Sequence, residues 1–182
     1  MNQAAVLTGT RSGRPSSGEY VSYFEKYVSL VSGDDAVSAL ETQRRDTMVL
    51  LSSLSDESGD IRYAPGKWSV KEVLGHVNDT ERIMVYRALR IARGDKTPLP
   101  GFEQDDYVKH ANFGEQSVCE LLEEYIAVRR ATLALFRPFS EIAWTSSGTA
   151  SNFPITARAL AFIVAGHELH HRRILQEKYF QR

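Results

Sequence analysis

Two histidines near the end of the chain, His167 and His171, are four residues apart. In an α-helix this spacing places both imidazoles on one face, about one turn apart, so that both can bind the same cation. They also continue an apolar stripe of the same helical phase, formed by Leu160, Ile163, Val164, Ile174 and Leu175. The pattern therefore predicts a core-facing metal site, with two buried neutral histidines bonded to the backbone as the alternative.

A third histidine, His76, lies on the flank of the apolar stripe of another long predicted helix. If the two helices are neighbours, the three imidazoles form a three-nitrogen site, and zinc held by three protein ligands keeps a position open for water or substrate. A flank position also fits a surface histidine. Imidazole suits transition metals better than magnesium or calcium, so we expect zinc or nickel, with iron and copper as alternatives.

Residues 167–171 also match the H-E-x-x-H motif, in which the glutamate activates water in metalloproteases. Only 11 residues follow His171, and none is a histidine that could supply the third ligand downstream. This context argues against a protease. Glu168 points about 100° away from His167 around the helix, so it remains a candidate base beside the metal, with a solvent-facing ion pair as the more favoured interpretation.

Two further carboxylates stand near His76 in sequence. Asp79 follows His76 by three residues and is a candidate to orient its free ring nitrogen or to line the site, although a helix-surface role fits equally well. Glu81 falls near the centre of the apolar stripe, where an unpaired carboxylate is costly. Arg44, which interrupts the stripe of its own helix, is its expected partner. His110 lies among charged residues and is assigned no role.

The composition excludes several classes of function. With a net charge of -1 and basic residues scattered among acidic ones, the chain lacks the basic surface that nucleic acid requires. The single cysteine, Cys119, excludes an intramolecular disulfide and a thiolate-rich zinc site, and it favours a cytoplasmic location. No apolar run suits a signal peptide or a membrane span, so we expect neither export nor membrane partners.

The chain of 182 residues fits one domain, residues 19–182, behind a flexible N-terminal tail, residues 1–18. Apolar periodicity and capping signals predict one short helix and four long ones. Their expected ranges are 20–31 for the short helix and 35–55, 69–93, 117–136 and 155–179 for the long helices. Ser69 with Glu72, and Ser117 with Glu120, form predicted capping boxes.

These elements predict an all-α fold, an antiparallel four-helix bundle with a short extra N-terminal helix and no strand. Sites in such bundles are built from side chains that face inward across neighbouring helices. The segment 95–116 contains Pro98, Pro100, Gly101 and Gly114 and has little periodicity, so we predict a long loop of the kind that carries function.

Four separate blocks of sequence resemble the DinB/YfiT-like superfamily of four-helix metal-binding proteins. They are residues 63–76 (YAPGKWSVKEVLGH), 79–82 (DTER), 100–107 (PGFEQDDY) and 166–171 (GHELHH). The resemblance extends over nearly the whole chain from Glu19 onward. The three-histidine site of this superfamily corresponds to His76, His167 and His171, in agreement with the choice made from helical phase.

The resemblance implies a bundle that is frequently a homodimer, with the metal at one end and a water or small ligand completing its shell. Relatives with known activities include S-transferases and isomerases that use low-molecular-weight thiols such as mycothiol or bacillithiol, with the metal stabilising a thiolate. It also implies that Asp105, Asp106 and Tyr107 lie near the pocket. Damage-inducible expression, the origin of the family name, does not imply DNA contact.

We therefore expect a metal-dependent transferase or hydrolase in which a small thiol or an activated water attacks a small electrophilic substrate beneath the segment 95–116. Two alternatives remain. One is a metal-binding or stress-response protein without turnover, and the other is a structural bundle whose histidines are packed and metal-free.

Overall fold

The structure, a computed structural model, describes residues 12–180. The helices and strands of this part of the chain are α1 (Glu25–Val28), α2 (Ala36–Leu51), α3 (Asp56–Gly59), α4 (Val70–Ala92), α5 (Gln104–His110), α6 (Val118–Phe136), α7 (Glu141–Thr145), β1 (Ser147–Ala150), β2 (Phe153–Thr156) and α8 (Ala157–Ile174). Short 3-10 turns cover Ser17–Glu19, Ser22–Phe24 and Phe113–Glu115, and a π-helical turn, Leu175–Tyr179, extends α8.

The four long helices α2, α4, α6 and α8 form a closed bundle. Helix α4 packs against α6 and α8, and α2 packs against the same two helices from the other side. The predicted all-helical bundle is thereby confirmed, as is the short N-terminal helix, since α1 packs along α8. Because α4 and α8 are direct neighbours, residues on their facing sides can meet inside the bundle.

Local signals fix where the long helices begin. The Ser69 hydroxyl accepts a hydrogen bond from the Glu72 amide at 3.2 Å, and the Glu72 carboxylate accepts one from the Ser69 amide at 2.6 Å. Ser117 and Glu120 make the same reciprocal pair at the start of α6, at 3.2 and 2.8 Å. Both predicted capping boxes are confirmed, and each satisfies two backbone N–H groups that the first turn leaves free.

The expectation of no strand is wrong, because β1 and β2 form an antiparallel hairpin with Ser147 opposite Thr156. Its turn residues, Ser151 and Asn152, both have positive φ, 51° and 70°, the combination that two-residue hairpin turns require. Residues 147–156 carry no alternation of apolar and polar residues, and so they give no strand signal.

The segment 95–116 is more ordered than the predicted loop, since it contains α5 and a 3-10 turn. It is also fastened to the hairpin, because the Leu99 amide donates to Thr149 O at 2.9 Å and the Ser151 amide donates to Leu99 O at 2.9 Å. The segment therefore lies at a fixed position along α4, with Pro100 beside Arg87 and Phe113 beside Gly75.

Part of the predicted tail contacts the bundle. The Ser12 hydroxyl accepts a hydrogen bond from the Ala36 amide at 2.9 Å, and the Arg14 guanidinium donates to Val28 O at 2.9 Å and Val31 O at 2.8 Å. These contacts hold residues 12–14 against the start of α2 and the end of α1. Residues 1–11 lie outside the described residues, so the tail stays a prediction for them.

Within residues 12–180, no helix combines the length and the apolar character needed to cross a lipid bilayer.

Gly166 allows the backbone of α8 to approach α1 closely. A Cβ atom at this position would lie 2.0 Å from Tyr27 O and 2.4 Å from the Tyr27 carbonyl carbon. Both are backbone atoms, which cannot swing aside as a flexible side chain can, so the crossing requires glycine. The close approach brings the Tyr27 ring to 5.3 Å from the ring of His167.

We expect Gly166→Ala to lower the free energy of unfolding by about 1–3 kcal/mol, because the added methyl group forces α1 away from α8. Urea unfolding measures the loss. Gly114→Ala is the matched control, because a Cβ there meets nothing within 4 Å, and its effect should stay within about 0.5 kcal/mol. Equal stabilities of the two variants would contradict the steric argument.

Candidate metal centre

The structure brings together the three histidines predicted from helical phase. His76 comes from α4, and His167 and His171 come from α8. The Nε2 atom of His167 lies 3.0 Å from Nε2 of His76 and 3.1 Å from Nε2 of His171. One ring nitrogen from each of the three residues lies within 4.8 Å of the other two. The three rings therefore point at one small volume between α4 and α8.

The environment keeps these imidazoles neutral. His76 and His167 are only 3% and 5% exposed. Burial lowers the pKa of His76 to about 4. Burial, together with repulsion from neighbouring histidines, holds the pKa of His167 and that of His171 well below the ordinary value. Each ring therefore carries an unprotonated nitrogen near neutral pH, as metal ligation requires.

Hydrogen bonds among the three rings cannot account for the cluster. An imidazole nitrogen offers either one N–H or one lone pair, and His167 Nε2 faces two partner nitrogens at 3.0 and 3.1 Å. One of those two contacts is thus left without a well-directed hydrogen bond, whichever tautomer His167 adopts. A cation among the rings would instead accept a lone pair from each of them.

Two of the three nitrogen separations also fit a shared cation. Ligand nitrogens about 2.0–2.1 Å from a metal are separated by about 2.9–3.4 Å for coordination angles between right-angled and tetrahedral. The two Nε2 separations of 3.0 and 3.1 Å fall in this range. An all-nitrogen donor set suits divalent transition metals. The residues present therefore fit a transition-metal ion.

Aromatic rings hold the histidines in place. The Trp68 ring lies 4.7 Å from the ring of His76 and is stacked 6.5 Å from that of His171, while Tyr27 packs edge-on against His167. These contacts restrict ring rotation and screen the cluster from solvent. On the far side of His76, Nδ1 lies 3.5 Å from the Thr80 hydroxyl.

Asp79 does not make the contact proposed for it. The group next to His76 Nδ1 is the Thr80 hydroxyl, whereas the Asp79 carboxylate lies 3.5 Å from the Arg82 guanidinium. Burial raises the pKa of Asp79 despite the opposing charge of Arg82. The structure thus gives no contact that would let Asp79 orient the histidine.

Glu168 points into the bundle, so the expectation of a solvent-facing ion pair is wrong. Its side chain is 2% exposed. It accepts hydrogen bonds from the Thr47 hydroxyl at 2.5 Å, the Tyr125 hydroxyl at 2.7 Å and the Arg129 guanidinium at 2.6 Å. Because three donors bind its two oxygens inside the core, this carboxylate is poorly placed to accept a proton from a substrate.

The expected partner of Glu81 is also corrected. Glu81 pairs with Arg129 and not with Arg44, through hydrogen bonds of 2.9 Å from Nε and 2.7 Å from Nη2. Arg129 is fully buried and joins Glu81 to Glu168, and we call these three residues the buried ion cluster. The signal was present in the sequence, because Arg129 lies in the apolar stripe of α6 between Tyr125 and Thr132.

A cavity of about 590 Å³ opens beside the histidines. His76 and His167 line one end of it, and the cavity follows α4 past Thr80 and Met84 to Arg87. Its other walls are mainly aromatic or apolar and are formed by Tyr23, Phe24, Tyr27, Phe102, Phe153 and Ile163. Part of its rim comes from the segment 95–116, which was predicted to cover the site, and consists of Gly101, Glu103, Gln104 and Asp105.

A second cavity of about 320 Å³ reaches His171 from the other side, between Trp68 and Tyr179. Gln104 and Asp105 line both cavities, so the start of α5 stands between them. Of the pocket residues implied by the resemblance, Asp105 lines both cavities, and Tyr107 packs against Phe102 with ring centroids 5.2 Å apart.

Comparison with known proteins matches the chain to a sequence family and to solved structures. The sequence model of the DinB superfamily matches residues 39–175. Among solved structures, YfiT from Bacillus subtilis, described as a probable metal-dependent hydrolase with an unusual four-helix bundle topology, superimposes with a TM-score of 0.72 over 94% of each chain, at 15% identity. At that identity the likeness establishes the fold alone. No curated protein sequence matches the chain.

Proposed function

Since the chain belongs to the DinB superfamily, we propose that it is a metal-dependent enzyme that acts on a small electrophilic molecule with either water or a small thiol as the nucleophile. In this proposal His76, His167 and His171 hold one divalent transition-metal ion, with zinc or nickel favoured over iron or copper. A cytoplasmic location and the homodimer implied by the resemblance stay predictions.

One observation carries the proposal: two of the three histidines form the end wall of a cavity of about 590 Å³. That volume is in the range of small-molecule sites, which are concave and largely apolar with a few polar groups. A protein that only stores or senses a cation has no use for such a cavity. The arrangement therefore favours turnover over metal binding alone.

The histidines, the aromatic rings and Glu168 have different roles at the candidate metal centre. The three neutral imidazoles supply lone pairs, and when a cation is bound it acts as a Lewis acid that lowers the pKa of a coordinated water or thiol. Trp68 and Tyr27 keep bulk water from the rings by packing directly on them. We assign Glu168 to the buried ion cluster, because its carboxylate accepts hydrogen bonds from three donors on two other helices, α2 and α6.

Hydrolysis and thiol transfer are two versions of the same proposal. YfiT, a probable metal-dependent hydrolase, favours water as the nucleophile, whereas the resemblance to thiol-dependent transferases and isomerases favours a low-molecular-weight thiol. Either nucleophile would attack a substrate that enters through the cavity along α4. The assay below treats the two reactions as separate readouts.

To test the proposal, the protein is stripped with a chelator and reloaded separately with zinc, nickel, iron(II) or copper(II). Hydrolysis of an activated aryl ester and transfer of a small thiol to an activated aryl halide are then measured. We expect at least one metal to raise one of the two rates by about 100-fold or more over the metal-free chain, since a Lewis acid contributes several kcal/mol to the transition state.

His110→Ala is the control variant for this assay. His110 is exposed on α5, and within the described residues its hydrogen bond stays in its own helix, from Nδ1 to Asp106 O at 2.7 Å, so the metal-dependent rate should be unchanged. Protein that binds a metal tightly but gives no metal-dependent rate with either reaction would favour the alternative of metal binding without turnover.

A further inference from the structure

Arg87 stands at the end of the large cavity that lies away from the histidines. It is 4% exposed, and it donates hydrogen bonds to three neutral acceptors. Nη2 donates to Pro100 O at 2.6 Å and to the Ser151 hydroxyl at 3.2 Å, and Nη1 donates weakly to the Met84 sulfur at 3.4 Å. These contacts use three of the five N–H groups of a guanidinium.

In the part of the chain that the structure describes, the other two buried Lys and Arg side chains are compensated by carboxylates, and Arg87 is not. Arg129 pairs with both Glu81 and Glu168, and Lys71 lies 3.0 Å from Asp60 and 3.9 Å from Asp56. Among residues 12–180, no carboxylate forms an ion pair with Arg87, and residues 1–11 contain no acidic side chain.

Leaving a buried guanidinium without a counterion is costly. Burial alone lowers the pKa of Arg87, with Tyr107 as a minor opposing influence. Packing does not explain the charge, because an apolar side chain of similar length would fill the same space. A counterion supplied from outside the chain does explain it, since the guanidinium lines a cavity that a ligand can enter.

Arg87 and His76 lie on the same face of α4 and line the same cavity. His76, Thr80, Met84 and Arg87 follow one face of α4, and all four line the cavity. The guanidinium lies beside Met84, because helical side chains lean toward the N-terminus. Eight residues of helix separate Met84 from His76, which corresponds to about 12 Å. A ligand that reaches both ends must therefore be elongated, with an apolar middle.

We propose that Arg87 binds a carboxylate group of the substrate, an inference that rests on the proposed function of the histidine centre. The substrate class is then a small carboxylic acid with an apolar body, whose reacting group lies roughly 10 Å from its carboxylate. Arg87 is a specificity-determining residue that fixes which end of the substrate faces the histidines.

A carboxylate fits this site better than a phosphate. The two N–H groups of Arg87 that remain, one on Nε and one on Nη1, can donate charge-assisted hydrogen bonds to a singly charged carboxylate. The charged residues at the rim, Glu103 and Asp105, are acidic and exposed. Their repulsion is larger for a doubly charged phosphate, which would also lack a second cation at the deep end of the cavity.

The test is calorimetric binding of two probes of the same shape, 4-phenylbutanoate and 4-phenylbutan-1-ol, to zinc-loaded and to metal-free full-length protein. The expected result is that the acid binds at least about tenfold more tightly than the alcohol in both metal states, because a hydrogen bond between two charged groups is roughly twice as strong as a neutral one. Arg87→Met should abolish this preference, Arg87→Lys should restore part of it, and Arg90→Met should leave it unchanged.

Arg90 is the matched control because it lies on the same helix but pairs with Asp95 outside the cavity. Equal affinities of the two probes for the unmodified protein would overturn the proposal, and this comparison needs no variant to fold. A preference that appears only with zinc and survives in Arg87→Met would also overturn it, because the carboxylate would then be on the cation. A preference that depends on Arg87 in a chain that binds no metal would uphold the carboxylate site and reject the proposed function.

Discussion

Replacement of both His167 and His171 by alanine is expected to lower the bound transition metal from about one ion per chain to nearly none. The double variant keeps one of the three nitrogens that converge on the site, and a single imidazole does not retain a divalent cation through purification. Elemental analysis by mass spectrometry, on protein purified without an affinity tag, measures the effect.

His170→Ala is the matched control for this experiment. His170 lies on the same helix and packs 5.2 Å from the ring of His171, but it does not belong to the converging group. Its metal content should equal that of the parent protein. An equal loss of metal in the control, or a parent chain that remains empty after incubation with all four metals, would count against a three-histidine metal centre.

The histidine cluster could be found from the sequence because its determinants are local. Helical phase alone puts His167 and His171 on the same face as Ile163 and Val164, and the same argument puts His76 beside the stripe of its own helix. The prediction also required that these two helices be neighbours in the bundle. The structure confirms this, because α4 and α8 pack directly against each other.

The partners of the buried charges could not be found in this way, because they depend on which helices meet. Periodicity identified Glu81 as a core carboxylate, but the partner expected from it, Arg44, was wrong, because the packing of α4 against α6 brings Arg129 to Glu81 instead. Glu168 was expected to make a solvent-facing ion pair, and it lies about 100° around the helix from His167. Helix α8 is buried on all sides from Ala159 to Glu168, so this rotation does not reach the surface.

The cavity was beyond prediction for a different reason. It is lined by Gly101 and Phe102 before α5 and by Ser151 and Phe153 of the hairpin, two segments far apart in the chain. Neither segment has a period that indicates its structure, and they are joined through backbone hydrogen bonds of Leu99. The sequence around Arg87 therefore does not distinguish it from an exposed arginine of the same helix. Its burial results from the contact between these two segments.

The buried ion cluster provides the largest expected effect on stability. Arg129→Met should lower the free energy of unfolding by about 3–5 kcal/mol, because it leaves Glu81 and Glu168 buried without a cation. It also removes the donor at 3.0 Å from Leu40 O. Urea unfolding at neutral pH, followed by far-UV circular dichroism, measures the loss.

Arg137→Met is the matched control, since Arg137 directly follows α6 and pairs with Glu41 at the exposed surface, where such pairs contribute about 0–1 kcal/mol. The triple variant Arg129→Met, Glu81→Met, Glu168→Gln separates charge from packing. If uncompensated charge causes the loss, removing both carboxylates recovers a substantial part of it, because a neutral core needs no guanidinium. A triple variant no more stable than Arg129→Met would instead show that the volume and hydrogen bonds of Arg129 hold α6 against α4 and α8.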